Sequence, residues 1–251
     1  MTDFSKWHIY FGGSGFCCAF YIGVVKALQE IYKDQIPIIT GDSAGSLIGL
    51  GYSLNIPWYK MKKVYISSLE IQNERNNKIW FGKISKDHNF ILSSFFKIGN
   101  FNLIKKNDRF QIGLTKPLFR YEIVTNWEDE MQIKEFIHKT MTIPFLTKTN
   151  FSSDIDGSFS NNQFYDLTIG LSDSFDIYTY ETDYNKIIQL DVKKMNELID
   201  KGYTATKNYK FKNPYKHPVY NYNNLTNYFI IIILWILKIV SIILNAVYLI
   251  D

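Results

Sequence analysis

The sequence predicts an α/β fold in which a mainly parallel sheet is layered with helices. Two observations carry that prediction. The chain opens strand, helix, strand, helix, the order that lays parallel strands beneath crossover helices. The first two apolar runs each lead directly into a glycine-rich turn, Gly12-Gly13-Ser14-Gly15 and then Gly41-Asp42-Ser43-Ala44-Gly45.

Trp7–Phe11 reads as the first strand. From Phe16 to about Tyr32, the residues Tyr21, Val24, Val25, Leu28 and Ile31 recur at helical spacing, so a helix follows. Ile36–Thr40 makes the second strand and Ala44–Leu54 the helix behind the second turn. Pro57 suits the first turn of another helix, which runs to about Glu74. Between Asn76 and Asn107 no clean period emerges, and the stretch admits either a helix over Phe90–Ile98 or a lid. Phe119–Thr125 reads as a core strand and Glu128–Met141 as a helix opened by acids and closed before Pro144. Lys186–Val192 reads as a late strand.

The two turns carry chemistry. Gly41-Asp42-Ser43-Ala44-Gly45 has the Gly-x-Ser-x-Gly form of a nucleophile elbow, a strand-to-helix bend that exposes a serine hydroxyl. Gly41 and Gly45 give the room that this bend needs. The first turn offers the consecutive N–H groups of Gly13, Ser14 and Gly15 at a helix N-terminus, where an oxyanion is stabilised.

Composition bounds the rest. The 251 residues are 46% hydrophobic and 21% charged, ordinary for a folded chain. A net charge of +4 with scattered lysines gives no basic stripe for nucleic acid, so no nucleic-acid partner is expected. An anionic membrane surface suits that charge better. The only cysteines, Cys17 and Cys18, are neighbours, which provides neither a disulfide framework nor a metal-ligand spacing. No metal and no cofactor are expected. The N-terminus lacks a basic region followed by an apolar one, so no secretory signal is expected.

Gly13-Ser14-Gly15-Phe16 with Tyr21-Ile22-Gly23-Val24, the elbow, and Asp156-Gly157-Ser158-Phe159-Ser160-Asn161-Asn162 together resemble the patatin-like phospholipases. The branch with adipose triglyceride lipase and adiponutrin is the nearest. Over roughly residues 7–170 the resemblance implies a three-layer α/β/α fold and a Ser-Asp dyad without histidine. Ser43 is then the nucleophile, Asp156 of the Asp-Gly pair with Gly157 the base, and the loop at Gly13, Ser14 and Gly15 the oxyanion hole. Cys18 stands where the family's first loop usually ends in glycine, and Ser158 where glycine or alanine commonly follows Asp-Gly. Chemistry supports such a dyad, since a carboxylate whose pKa is raised by burial can take a serine proton.

Competing readings are few. Asp154 lacks the following glycine. Of His8, His88, His138 and His217, only His217 follows the acid in the chain order of an α/β-hydrolase triad. Gly13-x-Gly15-x-x-Cys18 with Asp42 at the end of strand two resembles a dinucleotide fingerprint without its third glycine. A catalytically inactive lipid-binding or membrane-remodelling protein on the same fold is the non-enzymatic alternative.

Tyr228–Ile250 is apolar but for Lys238, Ser241 and Asn245 and long enough to cross a ~30 Å hydrocarbon core. Those residues and Tyr248 share one helical face, which fits a partner helix or an interfacial position. Expected, then, are a hydrolase domain over 1–205, a basic aromatic connector over 206–227 and a membrane-associated C-terminal hydrophobic helix over 228–250. The catalytic domain faces the cytosol, and the substrates are fatty-acyl esters of phospholipids or acylglycerols at a membrane or lipid-droplet surface.

Overall fold

The first apolar run forms β1 (His8–Phe11) and the second β2 (Ile38–Gly41), paired in parallel from His8 opposite Ile38 to Phe11 opposite Gly41. The computed structural model describes residues 3–33, 35–74, 84–116, 120–142, 154–179, 191–211 and 217–218. Beside β2 lies β3 (Phe110–Lys116), parallel to it, and beside β1 lies β7 (Leu167–Gly170), also parallel; β8 (Ile177–Tyr178) continues beyond β7. All residues of β3 except Lys116 are buried, as strands covered on both faces must be. No strand was expected there.

Two short segments run antiparallel and complete the sheet. One is β4 (Arg120–Val124), which pairs with β3 from Ile112 opposite Val124 to Lys116 opposite Arg120. The expected core strand over Phe119–Thr125 is thus an edge strand: Arg120 and Glu122 alternate with Tyr121 and Ile123, and their charges need a wet face. The other is β5 (Ile155–Asp156), which pairs with Leu114 and Thr115 of β3. Because β4 occupies one edge of β3, β5 takes the edge that β2 leaves at Gly41. The turn after β2 and the Asp-Gly segment therefore meet at one place.

The first glycine turn passes through a 3-10 turn (Gly15–Cys18) into α1 (Ala19–Tyr32). The second leads into α2 (Ala44–Ser53), buried along its whole length, followed by α3 (Trp58–Glu74). In the ambiguous stretch stands α4 (Ile84–Ile98), longer than the helix expected over Phe90–Ile98. Asp129 caps α5 (Glu130–Thr140) by accepting from Gln132 N. Asp191 caps α6 (Val192–Asn208) by accepting from Lys194 N. The expected strand Lys186–Val192 lies largely outside the described residues, and at its end Asp191 and Val192 start a helix instead.

Met195, Leu198, Ile199, Gly202 and Thr206 form the buried face of α6. That face meets α1 closely: a methyl group added at Gly202 would strike Phe20 O, and one at Gly23 would strike Ile199 O. Beyond residue 205, Phe211 packs its ring against Trp7 and Tyr32, so the folded body continues into the expected connector. A two-stranded sheet pairs β6 (Phe164–Tyr165) with β9 (His217–Pro218). Among the described residues no helix is long and apolar enough to cross a membrane. The hydrophobic run Tyr228–Ile250 lies outside them.

Candidate active site

Ser43 stands between β2 and α2 with φ 51° and ψ −131°, a left-handed conformation that a non-glycine residue holds only under constraint. The constraint is visible in its surroundings. Gly45 lies so close to β1 that a Cβ there would strike the Phe11 and Gly12 carbonyl oxygens, and a Cβ at Gly41 would lie 2.5 Å from Ser46 Cα. Ser43 N–H donates to Thr140 Oγ1 at 3.0 Å, and Ser46 Oγ donates to Ser43 O at 2.5 Å. The glycines predicted for the elbow are therefore required by close approach.

Asp156 is buried at the end of β5 and caps the 3-10 turn Gly157–Phe159, its Oδ1 accepting from Ser158 N at 2.9 Å. Burial pushes the Asp156 carboxyl above the ordinary carboxylate range, and the neighbouring Ser43 hydroxyl and the Ser158 N–H pull it part of the way back. Ser43 N and Gly157 N, the latter next to Asp156, both reach Thr140 Oγ1. Asp154 turns instead to Lys116 Nζ at 3.0 Å.

The glycine loop closes the other side. A Cβ built on Gly13 would lie 3.3 Å from Ser43 Cβ and would collide with Ser158 Oγ. Gly15 takes φ 52°, turning the chain into the 3-10 turn. Gly13 thus lies against the candidate nucleophile, and the loop leads on through Ser14 and Gly15 into α1.

Of the two departures, Cys18 is accommodated in the core at the start of α1. Burial pushes its thiol up to about 12. Ser158 reaches Asp156 through its backbone N–H, and its hydroxyl faces Gly13. The histidines go elsewhere: His8 Nε2 meets Thr40 Oγ1 at 2.7 Å and His138 Nε2 meets Asn89 Oδ1 at 2.9 Å. His88 is buried on α4, held neutral by its burial with a pKa lowered to about 3. The backbone of His217 pairs with Tyr165 in the small sheet. Asp42 is fully buried and accepts from Tyr10 Oη at 2.7 Å, Tyr121 Oη at 2.8 Å and Asn161 Nδ2 at 3.2 Å. A carboxylate so occupied is not available to a ribose, which removes the basis for dinucleotide binding.

Thr140 went unnoticed in the sequence. Its hydroxyl, at the end of α5, accepts from Ser43 N and, at 3.5 Å, from Gly157 N, while donating to Gly113 O at 2.7 Å. One side chain therefore ties the elbow, the Asp-Gly turn and β3. Thr140→Val keeps the shape but strands the Ser43 N–H. It is expected to cost ~1–3 kcal/mol in denaturant unfolding and to lower esterase activity, whereas Thr140→Ser restores both.

An elbow, an apposed glycine loop and a buried Asp-Gly turn on a mostly parallel sheet are the parts of an α/β acyl hydrolase. The family model described as patatin-like phospholipase matches residues 9–169, more than half of the chain and all of the candidate site. The chain belongs to the patatin-like phospholipase family, for which lipid acyl hydrolysis is the general activity. A comparison with curated proteins finds no match.

Proposed function

We propose that the protein is a serine esterase of the three-layer α/β/α patatin type that cleaves fatty-acyl esters of phospholipids or acylglycerols. The observation that carries this reading is that the strained elbow of Ser43 and the turn after the buried Asp156 meet on Thr140, with Gly13 of the glycine loop against Ser43. Ser43 Oγ attacks the ester carbonyl carbon as its proton passes to Asp156, giving a tetrahedral oxyanion that faces the N–H groups of Gly13, Ser14 and Gly15. Collapse breaks the bond to the alcohol oxygen, which takes the proton from Asp156 and leaves an acyl ester on Ser43. Water then attacks that ester with Asp156 again as base, releasing the fatty acid. Each N–H donor in such a hole is worth roughly 2.7–4 kcal/mol in the transition state.

Neutral acylglycerol substrates would follow from the nearness to the adipose triglyceride lipase branch, and phospholipid substrates from the wider family. Tyr228–Ile250 would hold the domain to a membrane or droplet surface from its cytosolic side, spanning the bilayer or lying in its interface. The test is fatty-acid release from phosphatidylcholine vesicles and from triacylglycerol emulsions by the wild type and Ser43→Ala. Release from at least one substrate by the wild type, and from neither by a folded Ser43→Ala, is expected. Equal release by both proteins contradicts the reading.

A further inference from the structure

Asp42, the residue before the nucleophile, is a buried carboxylate that the dyad mechanism does not use. It accepts three hydrogen bonds that converge from different elements: Tyr10 from β1, Tyr121 from β4 and Asn161 from the loop after the Asp-Gly turn. Its own N–H donates to Phe11 O at 3.1 Å, fixing it to β1. Two glycines make space for it. A Cβ on Gly113 would collide with Asp42 Oδ1, and one on Gly157 would lie 2.7 Å from the same oxygen. The Asp42 carboxylate thus sits directly beneath the residue that follows Asp156, while its backbone leads into Ser43.

We propose that Asp42 is a positioning residue of the dyad, whose carboxylate locks the turn carrying Ser43 to the turn carrying Asp156. The inference rests on the dyad reading above. The locking follows from the donor set. Three donors on three separate segments share one carboxylate, with Gly113 and Gly157 packed against it, so neither turn can shift without breaking bonds in a site closed to water, where an unmade hydrogen bond is expensive.

Among the described residues, the groups facing Asp42 are Tyr10 of β1, Tyr121 of β4, Tyr165 of β6, Tyr21 of α1, Asn161 and Asp156 of β5. Burial pushes all four phenols upward, so they stay protonated throughout the working range. Asp156 is then the one facing group whose charge acts on Asp42, and it adds to the rise of the Asp42 carboxyl. Burial raises the Asp42 carboxyl itself to about 7 despite its three donors.

The test measures kcat and KM on a soluble short-chain ester, with thermal melts, for the full chain and three variants. Asp42→Asn is expected to stay folded and keep KM, and to lose about 10- to 100-fold in kcat through misplacement of the reacting groups. Tyr121→Phe should lose less kcat, and none further when added to Asp42→Asn, because it acts through Asp42. A folded Asp42→Asn with wild-type kcat overturns the proposal. Should Asp42→Asn not fold, Tyr121→Phe decides. Lost kcat with KM and melting temperature kept supports the proposal, and lost melting temperature with kcat kept overturns it. A wild type that neither turns over ester nor is acylated at Ser43 contradicts the hydrolase reading and this inference with it. An active, Ser43-dependent wild type beside an unaffected Asp42→Asn contradicts this inference alone.

Discussion

Asp156→Asn is expected to abolish turnover while leaving the protein folded. The amide fills the same space and its oxygen still accepts from Ser158 N, now 2.9 Å from Oδ1, so the 3-10 turn keeps its cap. What disappears is the group that takes the Ser43 proton. An amide oxygen is far too weak a base, and loss of a general base typically costs ~10²–10⁴-fold. Asp154→Asn should retain most of the activity, because Asp154 answers Lys116. His217→Ala should do likewise. An inactive His217→Ala beside an active Asp156→Asn would replace the dyad by a triad. The pH profile carries the same information. Only ionised Asp156 can act as the base, and burial raises its carboxyl, so kcat/KM falls as pH drops through that raised value and recovers above it.

Ending the chain at Tyr222 should separate membrane attachment from chemistry. Ser43, Asp156 and the glycine loop all precede residue 170, and the truncation also keeps α6, the Phe211 packing and the β6–β9 pair. The truncated protein is expected to hydrolyse a soluble short-chain ester at the wild-type rate, to stop sedimenting with vesicles and to work poorly on bilayer or droplet lipid. Magnitudes favour the apolar segment as the anchor. Each large side chain fully buried is worth ~1.5–3 kcal/mol, and Tyr228–Ile250 supplies about a dozen, against ~1 kcal/mol for each lysine near an anionic surface. Of the connector lysines, Lys207 already pairs with Glu30 at 3.1 Å on α6, which weakens the electrostatic contribution further. Truncated protein that aggregates with its catalytic domain unfolded shows that the segment is part of the core.

What the sequence disclosed was local. The two glycine turns, the helices behind them and the Asp-Gly pair each declare themselves within about ten residues, because backbone crowding and turn geometry demand particular side chains in a row. The parts that bring them together are distant in the chain. Nothing near Phe110–Lys116 says that one edge of that strand is shared by β2 and β5, although this sharing is what sets Asp156 beside Ser43. Thr140, Tyr10, Tyr121 and Asn161 carry no signature beyond being polar residues at sites that turn out to be buried. Asn161 stood inside the quoted Asp-Gly segment, yet its role appears only when Asp42 is found opposite it. Helix α6 escaped notice because its inner face is sparse in large apolar residues, having a glycine and a threonine where it meets α1.

The most direct test of the Ser43–Asp156 reading is covalent labelling of the purified protein with a fluorophosphonate, followed by intact mass and peptide mapping. A single adduct on Ser43 is predicted for the wild type, none for Ser43→Ala, and a much slower adduct for Asp156→Asn. An adduct that persists in Ser43→Ala, or a folded wild type that forms none, contradicts the assignment of Ser43 as the nucleophile.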